Sequence, residues 1–174
     1  MEMLSYAKEL PKVLESTAIV RFQDCDPFNH LNNARYLDYF LNAREDQLIT
    51  NYGFDVYGLA QSTGTSWVVG RSQIAYLKPA KLMEEVVIQT QLIGVGERDL
   101  HVEMRMLDKD KTHLKALLWT NFVHFRIASG RAEKHNPEYM AFFARVVNPV
   151  AANSFDERFI QAVSSAPAAV AVPA

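Results

Sequence analysis

Residues 21–48 read RFQDCDPFNHLNNARYLDYFLNAREDQL, and the second half of this stretch predicts the element around which the rest must be arranged. Asn32 and Asn33 are good helix N-caps. Beyond them Arg35, Asp38, Asn42 and Glu45 recur three and four residues apart. Ala34, Leu37, Leu41 and Leu48 form a second stripe, widened by Tyr36, Phe40 and Ala43. Such a helix keeps one narrow wet edge and is otherwise covered by other structure. Upstream, Gln23 to His30 is polar, carries Pro27 and reads as a loop. Before that, Ser16 to Phe22 alternates Thr17, Ile19 and Arg21 against Ala18, Val20 and Phe22, the pattern of a half-buried strand.

Downstream of a Gly- and Gln-containing connection lie four strand-like segments. Ser66 to Leu77 is stopped by Lys78-Pro79, and Glu85 to Ile93 ends at Gly94 and Gly96. Asp99 to Asp108 places Leu100, Val102, Met104 and Met106 on one face, with His101, Glu103 and Arg105 on the other. Thr112 to Ile127 stops at Ser129-Gly130. Asn136-Pro137-Glu138 opens a helix with a cap, a proline at the first position and an acid. A shorter helix is predicted from Ser154 to Val163. The first twelve residues carry a weak helical signal, and the Ala- and Pro-rich stretch from Ser164 reads as a disordered tail. The organisation expected is an N-terminal segment over 1–14, one domain over 15–150 and a C-terminal extension over 151–174. A strand, a helix, four strands and a helix predict an α+β fold whose antiparallel sheet wraps the long helix.

Composition narrows the function classes. The 174 residues are 49% hydrophobic and 22% charged, the profile of an ordinary globular domain. A net charge of -2 argues against a nucleic-acid partner held by a broad basic face. The one cysteine, Cys25, excludes an internal disulfide and a thiolate zinc site. With no apolar run long enough to span a bilayer, no membrane partner and a cytoplasmic location are expected.

Most familiar motifs fail. Gly70-Arg71-Ser72-Gln73-Ile74 lacks the closing glycine of a nucleophile elbow and lies inside a strand. Gly94-Val95-Gly96 joins strand to strand instead of opening a helix, so it is a turn. Asp24, Asp26 and His30 break the calcium-loop pattern at Phe28, and no metal is expected. Cys25 and His30 make a poor thiol–imidazole pair, because flanking carboxylates disfavour the thiolate. What remains is a loop with two acids, an asparagine and a histidine, set against a helix N-terminus. Backbone N–H groups there can hold an oxyanion, and a nearby carboxylate can attack or activate water. That combination suits thioester hydrolysis, in which the thiolate leaves readily. On spacing alone, turn capping by Asp24 and Asp26 and packing of His30 is the simpler account.

The run Arg21-Phe22-Gln23-Asp24-Cys25-Asp26-Pro27, continued by Asn29-His30-Leu31-Asn32-Asn33-Ala34-Arg35-Tyr36-Leu37, resembles the hotdog-fold thioesterases. It is most similar to the 4-hydroxybenzoyl-CoA thioesterase branch, and its His-x-Asn-Asn segment resembles acyl carrier protein thioesterases. The 4-hydroxybenzoyl-CoA enzyme departs after Pro27, where this chain continues Phe-Asn-His-Leu. The resemblance implies Asp26 as nucleophile or general base and the backbone N–H of Asn33 as oxyanion donor. It also implies a site between two subunits, hence a homodimer or homotetramer, and no cofactor. His30 and Asn29 would position water or substrate, and Tyr36 would line the acyl pocket. Lys78, Lys81, Arg98, Arg126 and Arg131 are available near strand ends for the coenzyme phosphates. The activity expected is hydrolysis of acyl-CoA. The alternatives are an acyl carrier protein thioesterase, a hotdog dehydratase or hydratase, and a non-catalytic acyl-CoA-binding module.

Overall fold

The computed structural model describes residues 9–164. Its elements are β1 (Val13–Ile19), α1 (Tyr36–Tyr52), α2 (Val56–Thr63), β2 (Thr65–Tyr76), β3 (Glu85–Val95), β4 (Asp99–Asp108), β5 (Leu114–Arg126), β6 (Arg131–Ala132), α3 (Pro137–Val146) and α4 (Phe155–Ser164). Short 3-10 turns occupy Phe22–Asp24 and Asn33–Arg35, and the second runs straight into α1. The antiparallel sheet has the order β1-β3-β4-β5-β2, with β6 paired to β5. It curls around α1, as the element order predicts.

Local chemistry sets the ends of α1. The Asn32 side chain accepts from the Ala34 N–H at 3.0 Å. Gly53 closes the other end in the left-handed region (φ 62°), its N–H returned to Ile49 and Leu48. The face turned fully inward is Tyr36, Phe40, Ala43, Arg44 and Gln47, rather than the leucine stripe; Leu37, Leu41 and Leu48 are only half-buried. Against this face lie Val86, Ile88 and Leu92 of β3, Val102, Met104 and Met106 of β4, and Ala116 and Leu118 of β5. The alternation expected along β4 is therefore observed. Its opposite face is not wet throughout: Glu103 is completely buried because α4 lies over it, with Arg158 donating from Nε and Nη2 to the carboxylate.

Two local expectations are corrected. The first strand begins at Val13 and ends at Ile19, not at Phe22. After Val20 donates to the Glu84 carbonyl, the chain turns at Arg21, whose carbonyl takes the Asp24 N–H, and Phe22 is left largely exposed. The connection before β2 contains α2. The Asp55 carboxylate accepts from the N–H groups of Tyr57 and Gly58. A Cβ at position 58 would press on the free oxygen of that carboxylate, so the glycine that suggested a loop lies in the first turn of the helix and leaves the cap room. Of the first twelve residues, with their weak helical signal, residues 9–12 form no helix; the first eight and the tail after Ser164 lie outside the described residues.

Candidate active site

The loop between β1 and α1 folds back on itself. Cys25 pairs with Leu31, Asp26 N–H donates to the His30 carbonyl at 2.8 Å, and Asn29 N–H donates to the Asp26 carbonyl at 3.1 Å. The turn is written in its residues. Asp26 opens it, Pro27 supplies the fixed φ of the next position, and Asn29 takes the left-handed conformation (φ 58°) that asparagine tolerates. Leu31 N–H donates to the Ala80 carbonyl and Leu82 N–H to the Asn29 carbonyl, tying the loop to the segment after β2.

The two acids are put to different uses. Asp24 points to the helix: its Oδ2 accepts from the Tyr39 hydroxyl at 2.9 Å, and Arg35 Nε lies 3.8 Å from its Oδ1. Asp26 lines an open cavity of about 200 Å³ together with His30, Asn33, Tyr36, Tyr76 and Lys78. The N–H groups of Phe28 and His30 both donate to Asp26 Oδ1, at 2.9 and 3.1 Å. Oδ2 is the oxygen left to meet a carbonyl carbon or a water. Asn33 is the first residue of the 3-10 turn, so no carbonyl ahead of it in the helix takes its N–H.

Tyr36 and Tyr76 close the floor. Their rings meet edge to face at 5.1 Å. The Tyr36 hydroxyl accepts from the Ala80 N–H at 3.2 Å, and the Tyr76 hydroxyl donates to the Asn33 carbonyl at 2.9 Å. Burial is the main reason the Tyr36 hydroxyl is held above its ordinary pKa. Burial, then the charges of Asp24 and Asp26, likewise push the Cys25 thiol up, and its Sγ donates to the Arg21 carbonyl. Cys25 is a thiol that packs the loop.

Of the residues singled out from the sequence, Asp26, His30, Asn33 and Tyr36 share this cavity. Asn29 does not line it; its backbone shapes the turn instead. Of the five cations, Lys78 lines the cavity, while Arg126 is paired with Glu133 at 2.6 Å. Tyr76 and Tyr39 were not anticipated. An aromatic residue near the end of a strand, two positions before Lys78-Pro79, was the available signal for Tyr76. Among the described residues no group of three or more His, Cys, Asp or Glu is arranged to hold a metal ion. Nor is any helix long and apolar enough to cross a membrane.

Many solved structures share this architecture. The YbaW probable thioesterase of Escherichia coli is 23% identical, with 78% of this chain and 99% of that one covered, at a TM-score of 0.68. The DHNA-CoA thioesterase of Staphylococcus aureus is 15% identical over 77% of this chain and 90% of that one, with a TM-score of 0.70. The Staphylococcus aureus protein SAV2348, solved in complex with CoA, is 14% identical over 97% of this chain and 100% of that one, with a TM-score of 0.73. These likenesses are of fold. No curated protein matches the chain in sequence. Residues 20–163 match the family described as the thioesterase-like superfamily. By that match, with the sheet curled round a central helix, the chain belongs to the thioesterase-like superfamily and has the hotdog fold.

Proposed function

We propose that the protein hydrolyses acyl thioesters, acyl-CoA foremost, to the free acid and the thiol. The observation that supports this reading is that Asp26 and Asn33 line one cavity at the start of α1, where no helical carbonyl takes the Asn33 N–H. The thioester carbonyl oxygen would be held by the Asn33 N–H at the positive end of the helix, where the developing oxyanion is favoured. Asp26 Oδ2 then either attacks the carbonyl carbon or takes a proton from the attacking water. As the tetrahedral intermediate collapses, the C–S bond breaks and the thiolate leaves with the electron pair. If Asp26 attacks, water hydrolyses the resulting mixed anhydride at the same site. The backbone donors at Asp26 Oδ1 fix the aim of the carboxylate in either case.

His30 and Tyr36 shape the wall, and Lys78 at its edge supplies a cation for a phosphate of the coenzyme or of a carrier protein's prosthetic arm. The working unit is a homo-oligomer. β2 is an edge strand of twelve residues, with Val68 and Val69 each 45% exposed, and an unpaired edge of that length invites a second copy.

Thiol release from short, long and aromatic acyl-CoAs tests the reading and ranks the substrates. Turnover on at least one is expected. Binding of an acyl-CoA with no turnover, on CoA and carrier-protein thioesters alike, would instead establish a binding module. Single turnover in ¹⁸O water reads out the nucleophilic route, since only hydrolysis of the anhydride at the Asp26 carbonyl carbon puts label into the side chain of Asp26 rather than into the product acid.

A further inference from the structure

A second cavity, of about 90 Å³, lies further along the same helix. Its walls are hydrocarbon for the most part, from Leu41 and Leu48 of α1, Phe54, Trp67 of β2 and Phe122 of β5. Arg44 and Glu45 are the exceptions, and Arg44 is the buried one. It lines the cavity, is only 8% exposed, and makes a single hydrogen bond, from Nη1 to Thr90 Oγ1 at 3.0 Å. Thr90 offers no charge in return; its hydroxyl donates to Gln47 Oε1 at 2.6 Å. Glu45 also reaches this cavity, but its carboxylate accepts from the Tyr57 hydroxyl at 2.9 Å and is not ion-paired with Arg44. Among the described residues no carboxylate sits within ion-pair distance of the guanidinium. Burial pulls the Arg44 pKa down to about 10, so at neutral pH it is still a cation.

A buried guanidinium without a counter-ion is an expensive thing to keep in an apolar pocket. Its planar fork carries five N–H donors and matches a carboxylate bidentately, and only one of those donors is engaged by the protein. The missing partner is therefore an anion that is small, planar and attached to something apolar. We propose that this cavity receives the far end of the acyl group and that Arg44 holds a carboxylate there, so that the preferred substrates are monothioesters of dicarboxylic acids. The proposal rests on the thioesterase reading for what happens at the near end.

The strand β2 borders both cavities. Tyr76, at one end of β2, bonds the carbonyl of Asn33, and Trp67, near the other end, lines the second cavity. Between them Ile74, Ser72 and Val69 pair with Leu118, Thr120 and Phe122, and of these Ile74, Leu118 and Phe122 pack on the core around α1. Arg44 lies about 16 Å further along the helix than Asn33, at about 1.5 Å per residue, and its side chain leans back toward the helix N-terminus. A medium-length chain fits that span; a two-carbon acyl group does not reach.

The test compares suberyl- and sebacyl-CoA with octanoyl- and decanoyl-CoA, in wild type and Arg44→Met, and measures thermal stabilisation by free sebacate and decanoate. In wild type, kcat/KM for the diacid esters is expected to exceed that for the plain esters by about tenfold or more, the worth of one hydrogen-bonded charge pair. In Arg44→Met that ratio falls to one or below, and sebacate no longer raises the melting temperature. The wild-type comparison stands even if the variant does not fold. Equal kcat/KM for diacid and plain esters in wild type, or an unchanged preference in Arg44→Met, overturns the proposal and leaves the thioesterase intact. Stabilisation by sebacate that depends on Arg44, with no ester cleaved, removes the thioesterase reading and keeps the carboxylate site.

Discussion

Asp24 and Asp26 are two positions apart and do different work, and the difference is readable only once the turn is folded. Asp24→Ala removes the nearer of two acceptors of the Tyr39 hydroxyl, leaving the Ile19 carbonyl at 3.3 Å, and is expected to lower stability by about 1 kcal/mol, measured by urea unfolding, with activity reduced only as far as the loop loosens. The motif marks Asp26 by its resemblance to thioesterases, whereas spacing alone favoured turn capping for both acids. In the structure Asp26 Oδ1 caps the turn, and the residue also lines the cavity. Arg44 was legible in principle, since it falls in phase with Leu37, Leu41 and Leu48 on an otherwise apolar stripe. A periodicity count treats such a residue as an interruption, and its burial is decided by β3, where Thr90 meets it.

At the scale of elements, hydrogen bonds between segments far apart in sequence hold the site in place. Tyr36→Phe strands the buried Ala80 N–H and is expected to cost about 1–3 kcal/mol, read from the shift in the urea midpoint. The α4 helix is held by Glu103. Burial works to raise this carboxyl's pKa, but hydrogen bonds from Arg158 and Trp119, with the charges of Arg158 and Arg105, outweigh it and leave the pKa below its ordinary value. Asp108 is likewise held well below the carboxylate range: the cost of burial is overcome by hydrogen bonds from His113 and Thr112. A carboxylate with a depressed folded pKa contributes stability that is complete above its unfolded pKa and is lost as pH falls through the folded one. The melting temperature should therefore hold above about pH 5 and drop below about pH 4. Glu103→Gln should lower it at neutral pH, by about 3 kcal/mol of stability, and make the acid drop shallower. The alternation along β4 placed Glu103 on the outer face correctly. That α4 would cover it was not visible, because Arg158 is fifty-odd residues away and nothing local records the pairing.

For the whole molecule, the order of elements was enough for the architecture, since one long apolar helix and one antiparallel sheet have few ways to bury each other. The α2 helix was not legible: Gly58 stands in its first turn, and glycine in such a stretch reads as loop. Assembly belongs to this scale too. Light scattering after gel filtration should give at least twice the chain mass, and Val68→Lys on the exposed edge of β2 should shift the population toward monomer and reduce activity with it. A wild-type monomer that turns over substrate would contradict the assembled site.

The central claim, that Asp26 and the Asn33 N–H act together on a thioester, is tested most directly by thiol release from the best acyl-CoA with wild type, Asp26→Asn and Asn33→Pro side by side. Proline deletes the N–H while suiting the first helical position, and Asn32, already extended at φ -60° and ψ 134°, tolerates a following proline. Losses in kcat of about 10²–10⁴ for Asp26→Asn and about 10²–10³ for Asn33→Pro, with both variants folded, are the predicted result. Full activity in either folded variant would contradict the account.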